Sequence, residues 1–465
     1  MAGLDIRWAD LVSLHLAASS LALLVYVFTT HGLRLHRHPS AALAWIGVML
    51  VAPYAALPLY VMFGLRKQRR ARLATAWPGG TPGPAEAVSH DPWIRLSTGL
   101  GLPAPALYHG LVIDADGHEA RNTVLHGIDS ATLSIDLATF TFADDALGAE
   151  IGRCLAAAAR RGVIVRVLID GFGVWLYRHR HLDGLRRAGV QIAFFSPPFD
   201  WRFRARANQR NHRKMLLIDS RTAWMGGRNL AAPYFVDGHH GPAWTDLSFQ
   251  VDGPIVSSLA MLFERDWAAA LRRPWTVPGS LASSTIPGAQ ALLIPSGPEY
   301  ADDAWHAMLV WSCHAARERI AIATPYFVPD PELLNALVCA LRRGVRVELI
   351  VPSQSNHRLA DWARGRAVRD LQQAGGMVLT TPTMTHAKLV VIDQTIAFAG
   401  SANMDARSLF INHELMLGLR RASDVIAMGQ WFDALATRCS PHHARPLTLR
   451  RDLKEGLAQW LTFQL

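Results

Sequence analysis

Two short stretches, "NHRKMLLID" (211–219) and "THAKLVVID" (385–393), each place a lysine two residues after a histidine and an aspartate five residues after that lysine. Lysine is otherwise scarce. It supplies only four of the 47 basic residues, Lys67, Lys214, Lys388 and Lys454, so half of the lysines lie in these two stretches. On an extended segment residues i and i+2 project to the same side, which pairs His212 with Lys214 and His386 with Lys388. Asp219 and Asp393 have the opposite parity and close their strands, so they are expected to support backbone or a turn while the His–Lys pairs face the chemistry. A neutral imidazole is a competent nucleophile near neutral pH, and an imidazolium protonates a leaving alkoxide. Ammonium groups hold phosphate oxygens and stabilise transition-state charge without a metal. A compact ammonium also fits where a planar guanidinium fork does not, a reason for lysine in a chain that otherwise uses arginine. Two such histidines in one site would divide the roles of nucleophile and acid in cleaving a phosphate ester.

The elements around the motifs repeat as well. His212 precedes Asn229 of "GGRN" by 17 positions, and His386 precedes Asn403 of "GSAN" by 17. "RRGVIVRVLID" (160–170) is echoed by "RRGVRVELIVP" (342–352), each reading as a helix that runs into a buried strand. One chance His-x-Lys-x4-Asp match is expected in roughly one such chain per hundred, and two with matched downstream asparagines are about a hundredfold rarer. The pattern therefore predicts a duplicated α/β unit: two tandem α/β/α halves, 105–271 and 291–440, that share one active site. The Pro/Ser/Gly-rich stretch 272–290 links them. "MLLI" and "LVVI" read as strands buried on both faces. The closing segment, 441–465, reads as a helix that either lies on a membrane surface or packs onto the domain.

Half of the residues are hydrophobic, and the formal charge of +10 favours anionic partners. Residues 11–30 and 41–64 are apolar runs long enough to span a bilayer. Residues 1–64 are thus expected to form a two-helix transmembrane hairpin. Arg34 and Arg37 lie in its connector, but Arg66, Lys67, Arg69, Arg70 and Arg72 follow the second run, which puts the rest of the chain on the cytoplasmic side. Those five cations would meet anionic headgroups at about 1 kcal/mol each, and 65–104 reads as a basic juxtamembrane segment with the linker "WPGGTPGP". Cys154, Cys313, Cys339 and Cys439 are scattered, which argues against disulfides and a zinc site. "RHRH" (178–181) and the "HH" pairs at 239–240 and 442–443 lack carboxylate or cysteine companions at ligand spacing, so no metal is expected. The basic, aromatic-interleaved stretch 201–214 suits either anionic headgroups or a solvated loop.

The doubled motif, "HRKMLLID" and "HAKLVVID", resembles the signature of the phospholipase D superfamily. With "TPYFVPD" (324–330), "GSANMDARSLFINHE" (400–414) and the second apolar run, the chain is similar to bacterial cardiolipin synthases over nearly its whole length. The resemblance implies a cofactor-free enzyme of the bacterial inner membrane that joins two phosphatidylglycerol molecules, with no nucleic acid as partner. One histidine, His212 by analogy, would attack phosphorus and expel glycerol, with His386 as the acid. It also implies the catalytic set His212, Lys214, Asp219, His386, Lys388 and Asp393, with Asn229, Asn403 and Ser401 supporting and Asp246 and Glu414 orienting the histidines. The sequence departs from that pattern at Phe140 and Phe142, where a tyrosine is usual, and at His413, where an aromatic is usual. A phospholipase D that uses water, a membrane-tethered nuclease and a non-enzymatic scaffold are the other readings.

Overall fold

The first apolar run forms one helix, α1 (Trp8–Gly32), whose Trp8, Leu24 and Phe28 side chains are exposed. Its segment Trp8–Thr30 is apolar and long enough to cross a bilayer. The second run differs from the single helix expected over 41–64. It is split into α2 (Pro39–Val51) and α3 (Pro53–Leu59), with Ala52 between them at φ −139° and ψ 59°. Pro53 lacks an N–H and its ring crowds the α conformation of the residue before it, so the helix breaks at Ala52. The broken arm folds back on α1 around Ala22, Tyr26, Trp45, Met49, Ala56 and Tyr60, and a 2.6 Å hydrogen bond links Thr29 Oγ1 to the Tyr60 hydroxyl. Among the described residues, α1 is the one helix with the length and composition of a span. The computed structural model describes residues 8–32, 39–61, 91–114, 116–176, 180–197, 208–238, 241–275, 290–300, 302–443 and 447–464. Arg34, Arg37, the five cations of 66–72 and most of the 272–290 linker lie outside these residues.

The first half runs α4 (Pro92–Gly99), β1 (Ala106–Leu107), β2 (His109–Ile113), α5 (Gly117–Ser130), β3 (Ser134–Thr139), α6 (Ala146–Arg160), β4 (Ile164–Asp170), α7 (Gly171–Leu176) and α8 (Arg180–Arg187). It continues through β5 (Gln191–Phe195), β6 (Met215–Ile218), β7 (Thr222–Gly226), β8 (Ser248–Asp252) and α9 (Ile255–Leu271). The second half runs β9 (Gln290–Ser296), α10 (Ala304–Ala315), β10 (Arg319–Ala323), β11 (Phe327–Val328), α11 (Pro331–Arg342), β12 (Arg346–Pro352), α12 (Arg358–Gln373) and β13 (Met377–Thr381). It closes with β14 (Leu389–Ile392), β15 (Ile396–Gly400), β16 (Met404–Asp405), α13 (Ala406–Phe410), β17 (Glu414–Leu419), α14 (Ala422–Ala436), β18 (Ser440–Pro441) and α15 (Leu449–Gln464).

The two sheets share one topology. The first has the order β2-β8-β7-β6-β3-β4-β5, and the second repeats it as β9-β17-β15-β14-β10-β12-β13, with β1 and β18 added at its edges. In each, three parallel strands meet four antiparallel ones where the motif strand, β6 or β14, pairs antiparallel with β3 or β10. The helix-to-strand echo is a shared turn. Gly162 and Gly344 adopt φ of +93° and +88°, and the next amides, of Val163 and Val345, donate back to Ala158 and Ala340. Only glycine takes that left-handed position without strain, which is why "RRGV" recurs.

The motif strands explain their all-apolar sequences. Met215 and Leu217 face a core shared by both halves, whereas Leu216 and Ile218 face the outer core of the first half. Leu389 and Val391 join the same shared core, and Val390 and Ile392 the outer core of the second half. Alternation then exposes no face to water. The C-terminal helix packs onto α12, through Arg366–Asp452 (2.7 Å) and Arg369–Glu455 (2.5 Å) ion pairs.

Candidate active site

His212 and Lys214 lie just ahead of β6 rather than within it, and His386 and Lys388 stand likewise ahead of β14. What holds these unpaired segments extended is the opposite half. The His212 amide donates to the His413 carbonyl (2.9 Å), and the His413 amide donates to the Arg210 carbonyl (2.8 Å). Symmetrically, the His386 amide donates to the Thr245 carbonyl (2.7 Å), and the Thr245 amide donates to the Met384 carbonyl (2.9 Å). Each motif histidine is thereby tied to the residue just before the acid of the other half.

The side chains follow the backbone. His212 Nδ1 lies 3.0 Å from Glu414 Oε2, and His386 Nδ1 lies 2.9 Å from Asp246 Oδ2. Each acid thus serves the histidine of the half it does not belong to. A carboxylate at Nδ1 favours the ring proton there and leaves the lone pair on Nε2, which in His386 lies 3.1 Å from Lys388 Nζ. Glu414 is fully buried and also accepts from Ser401 Oγ (2.6 Å) and Ser408 Oγ (2.8 Å). Asp246 accepts the Leu247 amide at 2.8 Å. The difference between "GGRN" and "GSAN" has a steric reason. A Cβ on Gly227 would lie 2.2 Å from Asp246 Oδ1, whereas its counterpart Ser401 uses its Cβ to carry a hydroxyl to Glu414.

Both lysines are buried beside their histidines. Lys214 Nζ donates to the His212 carbonyl (2.7 Å), and Lys388 Nζ donates to the His386 carbonyl and lies 2.7 Å from Nδ1 of that ring. Burial, opposed by Glu414 but reinforced by Lys388, pulls Lys214 down to about 7. Burial, against the attraction of Asp246 and Glu414, pulls Lys388 down to about 8. His386 is lowered to about 3 by burial and by the Lys388 charge, and His212 is lowered by burial despite Glu414. Glu414 and Asp246 are held below the usual carboxylate values by the histidines and lysines around them, although burial opposes this. At neutral pH the free site therefore holds two neutral imidazoles, two carboxylates and two ammonium groups poised to lose their charge.

Asn229 and Asn403 each bury a side-chain oxygen that has no hydrogen-bond partner. Asn229 Nδ2 donates to the Tyr234 hydroxyl (2.7 Å), and the Tyr234 ring meets His386 edge-on at 5.0 Å. Phe140 packs edge-on to His212 at 5.4 Å and lies under Lys214 Nζ at 5.7 Å, a contact that needs no hydroxyl, while Phe142 is core. The His413 ring packs edge-on to Phe195 (4.8 Å), and its Nδ1 lies 2.9 Å from Glu299 Oε2. Of the basic stretch 201–214, Arg210 and Arg213 are buried and bind Asp170 and Asp266, so these two neither meet solvent nor await a headgroup. Arg202, Arg204 and Arg206 lie outside the described residues. A cluster of His306, Asp330 and Glu332 has the spacing of metal ligands, but Asp330 already caps α11 and binds His306.

Asp219 and Asp393 stand at the far end of the motif strands, separated from the histidines by all of β6 or β14. Each sits at positive φ, +51° and +49°. Asp219 accepts the amides of Thr132, Leu133 and Ser134, and Asp393 those of Arg317, Glu318 and Arg319. Burial is the largest single influence on the Asp219 pKa and raises it, but those donors together outweigh burial and hold Asp219 at about 2. The parity expectation for these aspartates describes their placement, and grouping them with the reacting residues does not. Asp219→Ala is expected to lower stability by about 1–3 kcal/mol, from the left-handed backbone and lost hydrogen bonds that water partly replaces. Thermal melting with single-turnover kinetics checks this: the melting temperature falls while the rate per folded molecule stays within a few-fold.

Tyr234 and Ser408 were not singled out from sequence, although both lie 22 positions after their motif histidine. That matched offset is the signal that could have found them.

The comparisons with known proteins agree with the duplicated architecture. The profile of the family described as cardiolipin synthase, PLD-like domain, matches residues 124–267 and 312–436. Cardiolipin synthase A of Pseudomonas syringae pv. syringae is 33% identical over 406 residues, 83% of this chain and 84% of that protein. Cardiolipin synthase A of Pseudomonas fluorescens is 30% identical over 438 residues, 88% of this chain and 89% of that protein. The crystal structure of phosphatidylserine synthase from Haemophilus influenzae superposes with a TM-score of 0.63 at 14% identity, covering 81% of this chain and 100% of that one, and shows the shared fold. With the family's domain matched in both halves, the chain belongs to the cardiolipin synthase family.

Proposed function

We propose that this protein is a membrane-bound phosphatidyltransferase that converts two phosphatidylglycerol molecules to cardiolipin and glycerol through a phosphatidyl-histidine. His212 Nε2 attacks the phosphorus of the first lipid, and the bond from phosphorus to the glycerol headgroup breaks. His386 Nε2 gives its proton to the departing glycerol oxygen. The terminal hydroxyl of a second phosphatidylglycerol then loses its proton to His386 Nε2 and attacks phosphorus, which breaks the phosphorus–nitrogen bond and frees His212. Lys214 and Lys388 hold the non-bridging oxygens, and the unpartnered oxygens of Asn229 and Asn403 accept from lipid hydroxyls.

The crossed histidine–carboxylate pairing is the observation that carries this reading, since it readies two Nε2 atoms in one site. His212 is the nucleophile here because it is the more exposed ring, 13% against 4% for His386. His386 is neutral in the free site, so substrate must supply the drive to protonate it. A phosphodiester anion about 4 Å away contributes roughly 4 kcal/mol at an effective dielectric of 20, about three pK units. That raises His386 and favours the protonated ring that acid catalysis needs. Both arms of the N-terminal hairpin span the membrane in this reading, and the catalytic halves lie on the cytoplasmic side.

Purified full-length protein in mixed micelles with labelled phosphatidylglycerol tests the reading. Cardiolipin plus glycerol in equal amounts is expected, and phosphatidic acid as the sole product overturns it in favour of hydrolysis. The same assay carries a pH prediction. Lysine is charged below its pKa, so raising pH through about 7 and 8 uncharges Lys214 and then Lys388 in the free enzyme. KM for phosphatidylglycerol should therefore climb steeply above pH 8, ahead of any fall in kcat, because a bound anion restores the lysine charges.

A further inference from the structure

The helices α12 and α15 enclose a second cleft, of about 750 Å³, that the reaction above does not use. Arg358, Arg364 and Arg369 line it from α12, and Arg450, Arg451 and Lys454 from α15. Its two carboxylates are already engaged. Glu455 pairs with Arg369 (2.5 Å) and Arg451 (3.9 Å), and Asp361 pairs with Arg364 (3.3 Å). Arg358 and Arg450 make no ion pair among the described residues, and the Lys454 ammonium lies over the Trp362 ring, 3.7 Å from its centroid. Three of the six cations are thus left without an ion pair among the described residues, in a cleft of the size that takes a small ligand.

What borders the cleft indicates where its ligand comes from. Leu449, Leu453 and Leu457 are all exposed and recur every fourth residue of α15, so they form one stripe. Arg450 and Lys454 each follow a stripe leucine by one residue, about 100° around the helix, and so flank the stripe. A helix with an apolar stripe edged by cations lies in the plane of a bilayer interface, leucines among acyl chains and cations among headgroups. α15 also touches α2, one of the apolar N-terminal helices. The wall formed by Ser353–Ser355 runs on to Asn356, which accepts the Tyr326 hydroxyl at 2.6 Å, and to His357, whose ring lies 5.2 Å from that of Tyr326. The cleft is therefore joined to Tyr326, the residue just before β11 in the second half.

We propose that the α12–α15 cleft binds the phosphodiester headgroup of an anionic membrane phospholipid at a site separate from the reacting histidines, with the α15 leucines inserted in the acyl layer. The proposal rests on the membrane reading given above. Arg358, Arg450 and Lys454 grip the headgroup, and occupation of the cleft seats the second half on the bilayer surface.

The test uses the full chain carrying His212→Ala, so that lipid is bound but not consumed, in phosphatidylcholine nanodiscs doped with photoactivatable phosphatidylglycerol. Crosslinks are expected in two peptide sets, one around Phe140 and Tyr234 and one around 358–369 and 449–457. Adding R358E, R450E and K454E should cut the second set at least tenfold and leave the first unchanged, which also reports that the variant is folded. R358Q with R450Q is the milder variant if the triple one does not fold. Absence of the second set, its persistence in the variants, or its loss on adding millimolar glycerol phosphate, the soluble source of the same chemistry, overturns the proposal. Cardiolipin synthesis by the unmodified chain is scored separately, so failure of the catalytic reading is distinguishable from failure of this one.

Discussion

Replacing His212 with alanine is expected to lower cardiolipin formation roughly 10⁴- to 10⁶-fold, the range seen when a nucleophile is removed from a catalytic unit. The Nε2 lone pair has no substitute nearby. Phe140 is apolar, the lysines are engaged with carbonyl oxygens, and His386 is directed by Asp246. Acid quenching after brief exposure to labelled phosphatidylglycerol should show a protein-bound phosphatidyl group in the unmodified chain and none in His212→Ala. His386→Ala keeps the nucleophile, so it should still accumulate the adduct, slowly, and fail to pass it to the second lipid. An adduct that survives His212→Ala but disappears in His386→Ala would exchange the two roles.

Glu414→Gln should be nearly as damaging, with a fall on the order of 10³–10⁴, although it lies 202 residues from the histidine it serves. The amide presents N–H to His212 Nδ1 and drives the ring proton onto Nε2, so the nucleophilic lone pair is lost. Ser408 still donates to the amide oxygen, and Ser401, which shares the other position with His212, can turn its hydroxyl to accept from the amide N–H, so melting should shift less than activity. The decisive comparison is with Asp246→Asn. Because the pairing is crossed, Glu414→Gln should suppress adduct formation, and Asp246→Asn should leave the adduct and slow its turnover. If each acid instead impaired the histidine of its own half, the two phenotypes would be reversed.

Much of this was legible from residues alone. The doubled His-x-Lys-x4-Asp motif, the matched asparagines and the "RRGV" turns predicted two α/β halves, and the two sheets have the same strand order. Parity separated Asp219 and Asp393 from the His–Lys pairs, because strand alternation is a local property. Apolar length marked the membrane end, but the second run was read too simply. Pro53 stood in plain view, and its effect on Ala52 divides that arm into two short helices. Counting cations in 201–214 also misled. Arginine composition does not say that Arg210 and Arg213 turn inward to buried aspartates, which a buried guanidinium requires.

What the sequence determined by itself were the chemical groups and their local order: two imidazoles, two ammonium groups and two acids, in two copies of one strand-and-helix plan. Which acid serves which histidine was decided only by tertiary structure. The partners are separated by 202 and 140 residues, and no periodicity reaches that far. The choice follows from how two similar sheets meet around a shared core, where the chain ahead of each motif strand lies against the residue before the other half's acid. Backbone hydrogen bonds between His212 and His413, and between His386 and Thr245, bring each acid to the opposite ring. A single half would hold a histidine without its carboxylate, which is the physical reason the two copies form one site.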